Sequence, residues 1–435
     1  MTRDAAGLSQ LLFPPVFAYK STCCFSFELL VKKHCAKNYK RGTCTWLVIF
    51  VPAFKTVNLK GVEMRKKLGV LFLSMCIAVG CLAGNAAAKE KLQIQTALTN
   101  SSIYMRTLER FKANVEKLSK GELEVELLAA GAIVKPFEIY GAVSEGLVNG
   151  GMAWTHYNSG LNPAGTLFSA PCGGIGYGLD QASVMAWIFE GDGGKLLNEY
   201  YQVACKQDIV AFAVLPMGPE AFGWFHKTYK TLDEINKLKF RCPPGVPAEI
   251  FKEMGMPAVS MGGPDIIPAA QKGVIDCAEW IAPAEDIAMG FDQIWKHLYL
   301  QGLHQALSIG DVVINKTWYD KLPEHLRDIL NVCLKLCVVD QNNMNIKLHS
   351  EALKKIVQGG VVLDQTPPEY YNAFMKATRA VFARYAAKDA FFKKVMDNEI
   401  AWAKLTVPFQ MRANGLFYTL AKTAMDEGLI TDYKK

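Results

Sequence analysis

The sequence predicts an α/β protein of two lobes that meet at a cleft, followed by a mainly helical last stretch. Three observations carry that expectation. Strand-like and helix-like segments alternate along the chain, the pattern of strands joined by crossover helices in mainly parallel sheets. The alternation restarts near Leu232, as a second module would. Once an amino-terminal leader is set aside, 347 of the 435 residues remain, enough for two lobes with separate cores.

Taken in order, residues 92–98 alternate apolar and polar side chains, as a half-buried strand does. Over residues 107–119, Leu108, Phe111, Val115 and Leu118 recur at helical spacing, and Gly121 closes the helix. Residues 123–128 read as a strand, 136–145 as a helix and 151–154 as an apolar strand. Helices are expected over 180–188 and 194–205, then a near-continuous apolar strand over 209–215. The second module places strands at 238–241, 257–261 and 274–280, with helices at 247–254 and 267–272. Beyond Pro323 the chain turns helical, with one long segment over 324–357. The first lobe is thus assigned mainly to 89–212 and the second to 213–305, while 306–435 crosses back to complete both.

The leader explains the charge. Met64 is followed by Arg65-Lys66-Lys67, an apolar run over 68–79 and Ala86-Ala87-Ala88. A basic start, an apolar stretch shorter than a membrane span and a small-residue cleavage site make a signal peptide. Residues 1–63 show no sustained periodicity, so translation is expected to begin at Met64, with the preceding residues being upstream sequence misread as protein. Ala78-Val79-Gly80-Cys81 forms a weak lipid-attachment motif. Release at Lys89 is favoured over an anchor on Cys81, because Ala suits the first motif position less well than Leu. Residues 1–88 hold 12 of the 48 Lys and Arg and 3 of the 41 Asp and Glu. The remainder carries 36 against 38, a net charge of −2 in place of +7. No basic stripe with interleaved aromatics remains, which excludes nucleic acid as a partner.

Six cysteines follow the leader: Cys172, Cys205, Cys242, Cys277, Cys333 and Cys337. In an exported chain an even count invites disulfides, but spacing does not settle the pairing. No CxxC or HExxH occurs, so a structural zinc site is not expected.

Three places carry candidate chemistry. Arg241 ends the expected strand 238–241, where a side chain can point into a cleft. Its planar fork matches a carboxylate through two charge-assisted hydrogen bonds, which lysine cannot reproduce. On the residues alone, an ordinary surface arginine at a strand end is the better reading. Glu279 and Trp280 end the strand 274–280; a carboxylate among apolar neighbours is costly unless paired or metal-bound. A carboxylate oxygen with a main-chain carbonyl suits a hard cation, sodium or calcium, although Glu279 as a simple partner of Arg241 is the alternative. The third is Glu220, four residues before Trp224.

The segment from Glu220 to Asp286, EAFGWFHKTYKTLDEINKLKFRCPPGVPAEIFKEMGMPAVSMGGPDIIPAAQKGVIDCAEWIAPAED, resembles the solute-binding proteins of TRAP (tripartite ATP-independent periplasmic) transporters. So does FKANVEKLSKGELEVELLAAGAIVKPFEIYGAVSEGLVNGGMAW, residues 111–154. The resemblance implies a periplasmic receptor of two α/β lobes closing over a ligand, with a long helix across both and a membrane permease as partner. The acidic-Trp pair Glu279-Trp280 is similar to that of the branch binding 2-oxo or 2-hydroxy monocarboxylates with a metal ion. By the same resemblance Arg241 is the carboxylate-binding arginine, and Glu279 and the Trp280 carbonyl are cation ligands. Relatives place Gln as a cation ligand where this chain has Glu220; the added negative charge implies a cation held more strongly or a divalent one, with a displaced, solvated Glu220 as the alternative. They present a first-lobe tyrosine to the ligand, a role that falls to His156 or Tyr157. Gly262-Gly263-Pro264 lies beside the cleft in relatives, either leaving space or making a tight turn. Two other readings compete: a receptor for another organic acid without metal, and an exported enzyme using Glu220 and Glu279 as an acid–base pair or metal cage. No nucleophile–base spacing, phosphate loop or cofactor fingerprint supports the enzyme.

Overall fold

The computed structural model describes residues 89–169 and 175–433, all within one unit spanning Asn85–Lys435. The expectations for residues 1–88, Cys81 included, and for Cys172 lie outside the described residues. The chain begins with β1 (Glu90–Thr96), α1 (Ile103–Leu118), β2 (Leu123–Leu128), α2 (Ile139–Ser144) and β3 (Gly150–Trp154). Helix α1 starts earlier than its apolar spacing suggests because Ser102 caps it, its side chain accepting from the Tyr104 N–H. The stripe formed by Tyr104, Leu108, Phe111 and Val115 is buried. After α3 (Gln181–Glu190) and α4 (Gly193–Glu199) the helix widens into a π-turn over Tyr200–Ala204, which turns Tyr200 and Tyr201 into the core. β4 (Ile209–Gly218) then carries the chain out of the first lobe.

The second lobe holds β5 (Gly223–Phe225), β6 (Phe240–Cys242), α5 (Val246–Glu253), β7 (Ala258–Ser260) and α6 (Gly263–Gln271). It continues with β8 (Cys277–Ala278), α7 (Pro283–Ala288) and β9 (His297–Tyr299). β10 (Ser308–Asn315) returns to the first sheet, and α8 (Glu324–Gln358), β11 (Val362–Asp364), α9 (Pro368–Lys388) and α10 (Ala390–Asp426) complete the chain. The strand orders are β2-β1-β3-β10-β4 and β11-β9-β5-β8-β6-β7.

Both sheets are mixed rather than mainly parallel. β10 lies antiparallel to β3 and β4, and β5 antiparallel to β8 and β9. The reason is the crossing: β4 leaves the first lobe and β10 comes back beside it, so the two must run in opposite directions. β10 falls within a stretch expected to be mainly helical. Every one of its residues is buried, and a strand covered on both faces shows no alternation to read.

Helix α8 has 35 residues, about 52 Å at 1.5 Å per residue. It packs on α1 and β4 of the first lobe and on α7 of the second, and so spans both. Its buried polar residues are satisfied: Gln341 Oε1 accepts from Thr107 Oγ1 at 2.6 Å, and Asn345 Nδ2 donates to the Pro216 carbonyl at 2.7 Å. Cys205, Cys242, Cys277, Cys333 and Cys337 are free thiols. Cys333 and Cys337, one turn apart, pack into the α8 interface, and the Cys337 thiol donates to the Cys333 carbonyl at 3.3 Å. From Leu405 to Met425 the side chains of α10 are largely exposed, Phe409, Leu416, Phe417 and Tyr418 among them.

Candidate functional site

Two passages between the lobes run side by side, and the site is built on them. The first, between β4 and β5, carries Glu220; the second, between β9 and β10, carries His304 and Gln305. The Glu220 N–H donates to the Gln305 carbonyl at 3.0 Å, and the Ala221 N–H to the Ile281 carbonyl at 3.0 Å. Gly302 permits this approach: a Cβ there would lie 2.9 Å from Phe222 backbone atoms and 3.0 Å from the His304 ring.

The second lobe adds Arg241 and Glu279 from neighbouring strands. Arg241 is central in β6, not at its end as expected, because the strand continues to Cys242; it pairs in register with Ala278 of β8. β8 stops at Ala278, so Glu279 and Trp280 follow the strand instead of ending it. Arg241 is only 1 % exposed, yet every edge of its fork is engaged. Nε and Nη2 donate to the Met261 carbonyl at 3.2 and 2.8 Å, and Nη1 donates to the Glu279 carbonyl at 3.0 Å and to Glu279 Oε1. The guanidinium lies 5.2 Å from the Trp280 ring centroid, a cation–π contact. Gly263 leaves room for that indole, since a Cβ would meet it at 2.7 Å. Of the two readings of the Gly262-Gly263 loop, the structure gives space.

The first lobe presents Trp154 at the end of β3 and His156 and Tyr157 in the turn that follows. Trp154 stands edge-on to Trp280 with ring centroids 6.0 Å apart, and Tyr157 packs against Trp154 and His156. Burial first, then the Arg241 charge, lowers the His156 pKa to about 3, so its imidazole is neutral.

Glu220, Arg241, Glu279, Trp280, His156 and Tyr157 thus line one cavity, with Trp154, Pro243, Ile281 and Gln305. It measures about 10 Å³, near the least that holds a water molecule. A carboxylic acid enters only if the lobes or side chains part.

The electrostatics of this cavity are unbalanced. Glu220, Glu279 and His304 are fully or almost fully buried. Glu220 Oε2, Glu279 Oε2, both His304 ring nitrogens and Trp280 Nε1 have no hydrogen-bond partner. His304 Nε2 lies 3.8 Å from Glu220 Oε2 and 3.6 Å from Glu279 Oε2, beyond hydrogen-bond distance. Burial, then repulsion from Glu279, pushes the Glu220 carboxyl well above its ordinary range. Leaving such groups unpaired costs about 1–3 kcal/mol each, more when charged. A positive ion beside the two carboxylate oxygens would remove their share of that cost, so the acceptors present fit a cation, while the Trp280 Nε1–H calls for an acceptor instead. His304, Gln305 and Trp154 were not legible as site residues. A lone histidine in a loop, 25 residues from Glu279 and 84 from Glu220, carries no ligand spacing, and only the crossing brings the three together.

Two α/β lobes joined by crossing strands, a closed cleft and a fixed buried arginine define a solute-binding protein. The chain belongs to family 7 of the bacterial extracellular solute-binding proteins, the DctP family, whose profile matches residues 94–389. It is 26% identical over 304 residues to the monocarboxylate 2-oxoacid-binding periplasmic protein of Nostoc sp., covering 70% of this chain and 81% of that one. Among solved structures it is similar to a TRAP transporter solute-binding protein from Bordetella bronchiseptica with copurified calcium and picolinate (TM-score 0.73, 22% identity, 78% of this chain and 99% of that one). It is also similar to a TRAP periplasmic solute-binding protein from Pseudoalteromonas atlantica with bound sodium and pyruvate (TM-score 0.71, 23% identity, 76% and 99%).

Proposed function

We propose that this chain is the periplasmic receptor of a TRAP transporter. It captures a small 2-oxo or 2-hydroxy monocarboxylate together with a cation, and delivers the acid to membrane permease subunits. The observation that carries this reading is the pair of buried, partly orphaned carboxylates, Glu220 and Glu279, beside a guanidinium fixed by Met261 and Glu279. Arg241 would take the ligand carboxylate as Glu279 exchanges its direct contact for the cation. Glu220, Glu279 and the Trp280 carbonyl would hold that cation, which supplies positive charge for the acid's second oxygen. Trp154, Trp280 and Tyr157 exclude water around it, which strengthens every charge interaction inside. The ligands named for the Nostoc, Bordetella and Pseudoalteromonas relatives support the same ligand class and a sodium or calcium ion.

The chain acts by reversible capture and not by catalysis. Incubation with pyruvate should return it unchanged at 1:1 stoichiometry; product formation would contradict the reading. Ligand and cation specificity is tested by thermal shift across mono- and dicarboxylates with sodium or calcium, since a bound ligand raises apparent stability. A screen in which no monocarboxylate shifts the transition would remove the proposal. The exported form begins at Lys89 after removal of the leader, so mass spectrometry of the native protein should find that terminus. Peptides from residues 1–60 would contradict it.

A further inference from the structure

Among the described residues, Glu220, Glu279 and His304 are a group of buried side chains whose ligand atoms all lie within 4.8 Å of one another. His304 was assigned no role above, yet it is fully buried and neither ring nitrogen has a partner. A neutral imidazole offers one donor and one acceptor, and burying both unpaired is costly. The ring is held by packing, with its centroid 5.7 Å from that of Phe251 and Gly302 against its Cε1 edge. Its Nε2 faces the two orphaned oxygens at 3.6 and 3.8 Å, too far for hydrogen bonds. Such separations suit three atoms arranged around one ion, because two ligands about 2.1 Å from a metal stand about 3.4 Å apart at a tetrahedral angle.

We propose that His304 is a metal ligand, and that the Glu220–Glu279–His304 site takes a first-row divalent transition ion in preference to sodium or calcium. The inference deepens the receptor reading and rests on its cation. Sodium and calcium bind through oxygen donors, whereas an imidazole nitrogen suits first-row transition ions, cobalt or zinc better than manganese. Charge separates a divalent ion from sodium, and the imidazole then separates a transition ion from calcium. Two carboxylates and one guanidinium sum to −1, and a monocarboxylate makes −2, which a divalent ion cancels and sodium does not. A closed cleft that excludes water favours the neutral sum.

The test uses the chelator-stripped mature protein and metal alone, without organic acid. Cobalt(II) should give a saturable visible spectrum at one equivalent, with an affinity at least about tenfold above calcium. His304→Gln should weaken cobalt at least about tenfold and leave calcium within about threefold. Cobalt binding no tighter than calcium, or unaffected by His304→Gln, would overturn the proposal. Should that variant fail to fold, wild-type protein loaded with manganese decides: nitrogen hyperfine coupling in its electron spin echo supports His304 as ligand, and its absence overturns it. A separate pyruvate titration of calcium-saturated protein keeps the two readings apart. Pyruvate binding without cobalt selectivity sinks this inference alone. No pyruvate binding with any of these ions sinks the receptor reading and leaves the metal result standing.

Discussion

Two buried carboxylate sites in this molecule face opposite fates. In the first lobe, Asp311 at the centre of β10 is completely enclosed, yet both oxygens are satisfied. Tyr140 donates to Oδ1 at 2.6 Å, Tyr201 to Oδ2 at 2.6 Å and Thr155 to Oδ2 at 3.3 Å. Burial still lifts its pKa to about 6, with the tyrosine hydroxyls pulling it back. In the cleft, Glu220 and Glu279 are as deeply buried, and one oxygen of each has no partner. The first site is closed by the protein itself and acts as structure. The second keeps unpaired oxygens, which on the reading proposed above are left for a cation, followed by an anion on Arg241.

Substitutions can break this contrast, and the largest effect is expected at Glu279. Glu279→Ala should lower monocarboxylate affinity at least about 100-fold and remove its cation dependence. It also strips Arg241 of a buried partner, at a stability cost of about 3–5 kcal/mol. Glu279→Gln keeps the shape, and calorimetry on it should show the same loss of cation response with less unfolding. Retained cation dependence in both variants would take Glu279 out of the site.

Arg241→Lys comes next. Lysine keeps the charge but cannot hold the Met261 carbonyl and a ligand carboxylate through one planar fork. Ligand affinity should fall by about 1–3 kcal/mol, read by calorimetry at saturating cation; equal affinity would place the carboxylate elsewhere.

Asp311 sharpens the comparison from the other side. Asp311→Asn leaves one tyrosine hydroxyl without an acceptor and should cost about 1–3 kcal/mol in urea unfolding, with ligand and cation affinities unchanged. The cost should depend on pH. The folded carboxyl binds its proton more tightly than the unfolded one, whose pKa is about 3.9. Its stabilising advantage is therefore full below about pH 4 and is lost as pH rises through about 6. The stability gap between wild type and Asp311→Asn should narrow across that window. A gap independent of pH would mean that Asp311 titrates normally.

The smallest effect is expected at Glu220. Glu220→Gln relieves repulsion with Glu279 and should stabilise the ligand-free protein by about 1 kcal/mol. It should also weaken a divalent ion more than sodium. A destabilised variant would indicate that Glu220 is already paired within the protein.

What the sequence disclosed follows from range. The helical preference of α8 is local, and the helix, Glu324–Gln358, ends one residue beyond the expected end. Arg241, Glu279 and Trp280 stand out as candidates because a charge or a tryptophan beside a short apolar strand is unusual and the resemblance ties those types to a carboxylate, and they do line one cavity. β10 was missed because uniform burial removes the period-two signal. His304 was missed because its partners come from the other crossing passage and from the end of β8. Strand 274–280 was drawn too long, since its apolar run continues although pairing ends at Ala278.

On the proposed reading, the orphaned acids of the cleft require a cation before the cleft can hold an anion. Calorimetry with pyruvate, on protein exhaustively chelated and held in sodium-free buffer, tests it most directly. No measurable heat of binding is expected until a cation is added back, then full binding at one site. Full affinity in the stripped protein would show that no ion bridges ligand and carboxylates, and that Glu220 and Glu279 are compensated in some other way.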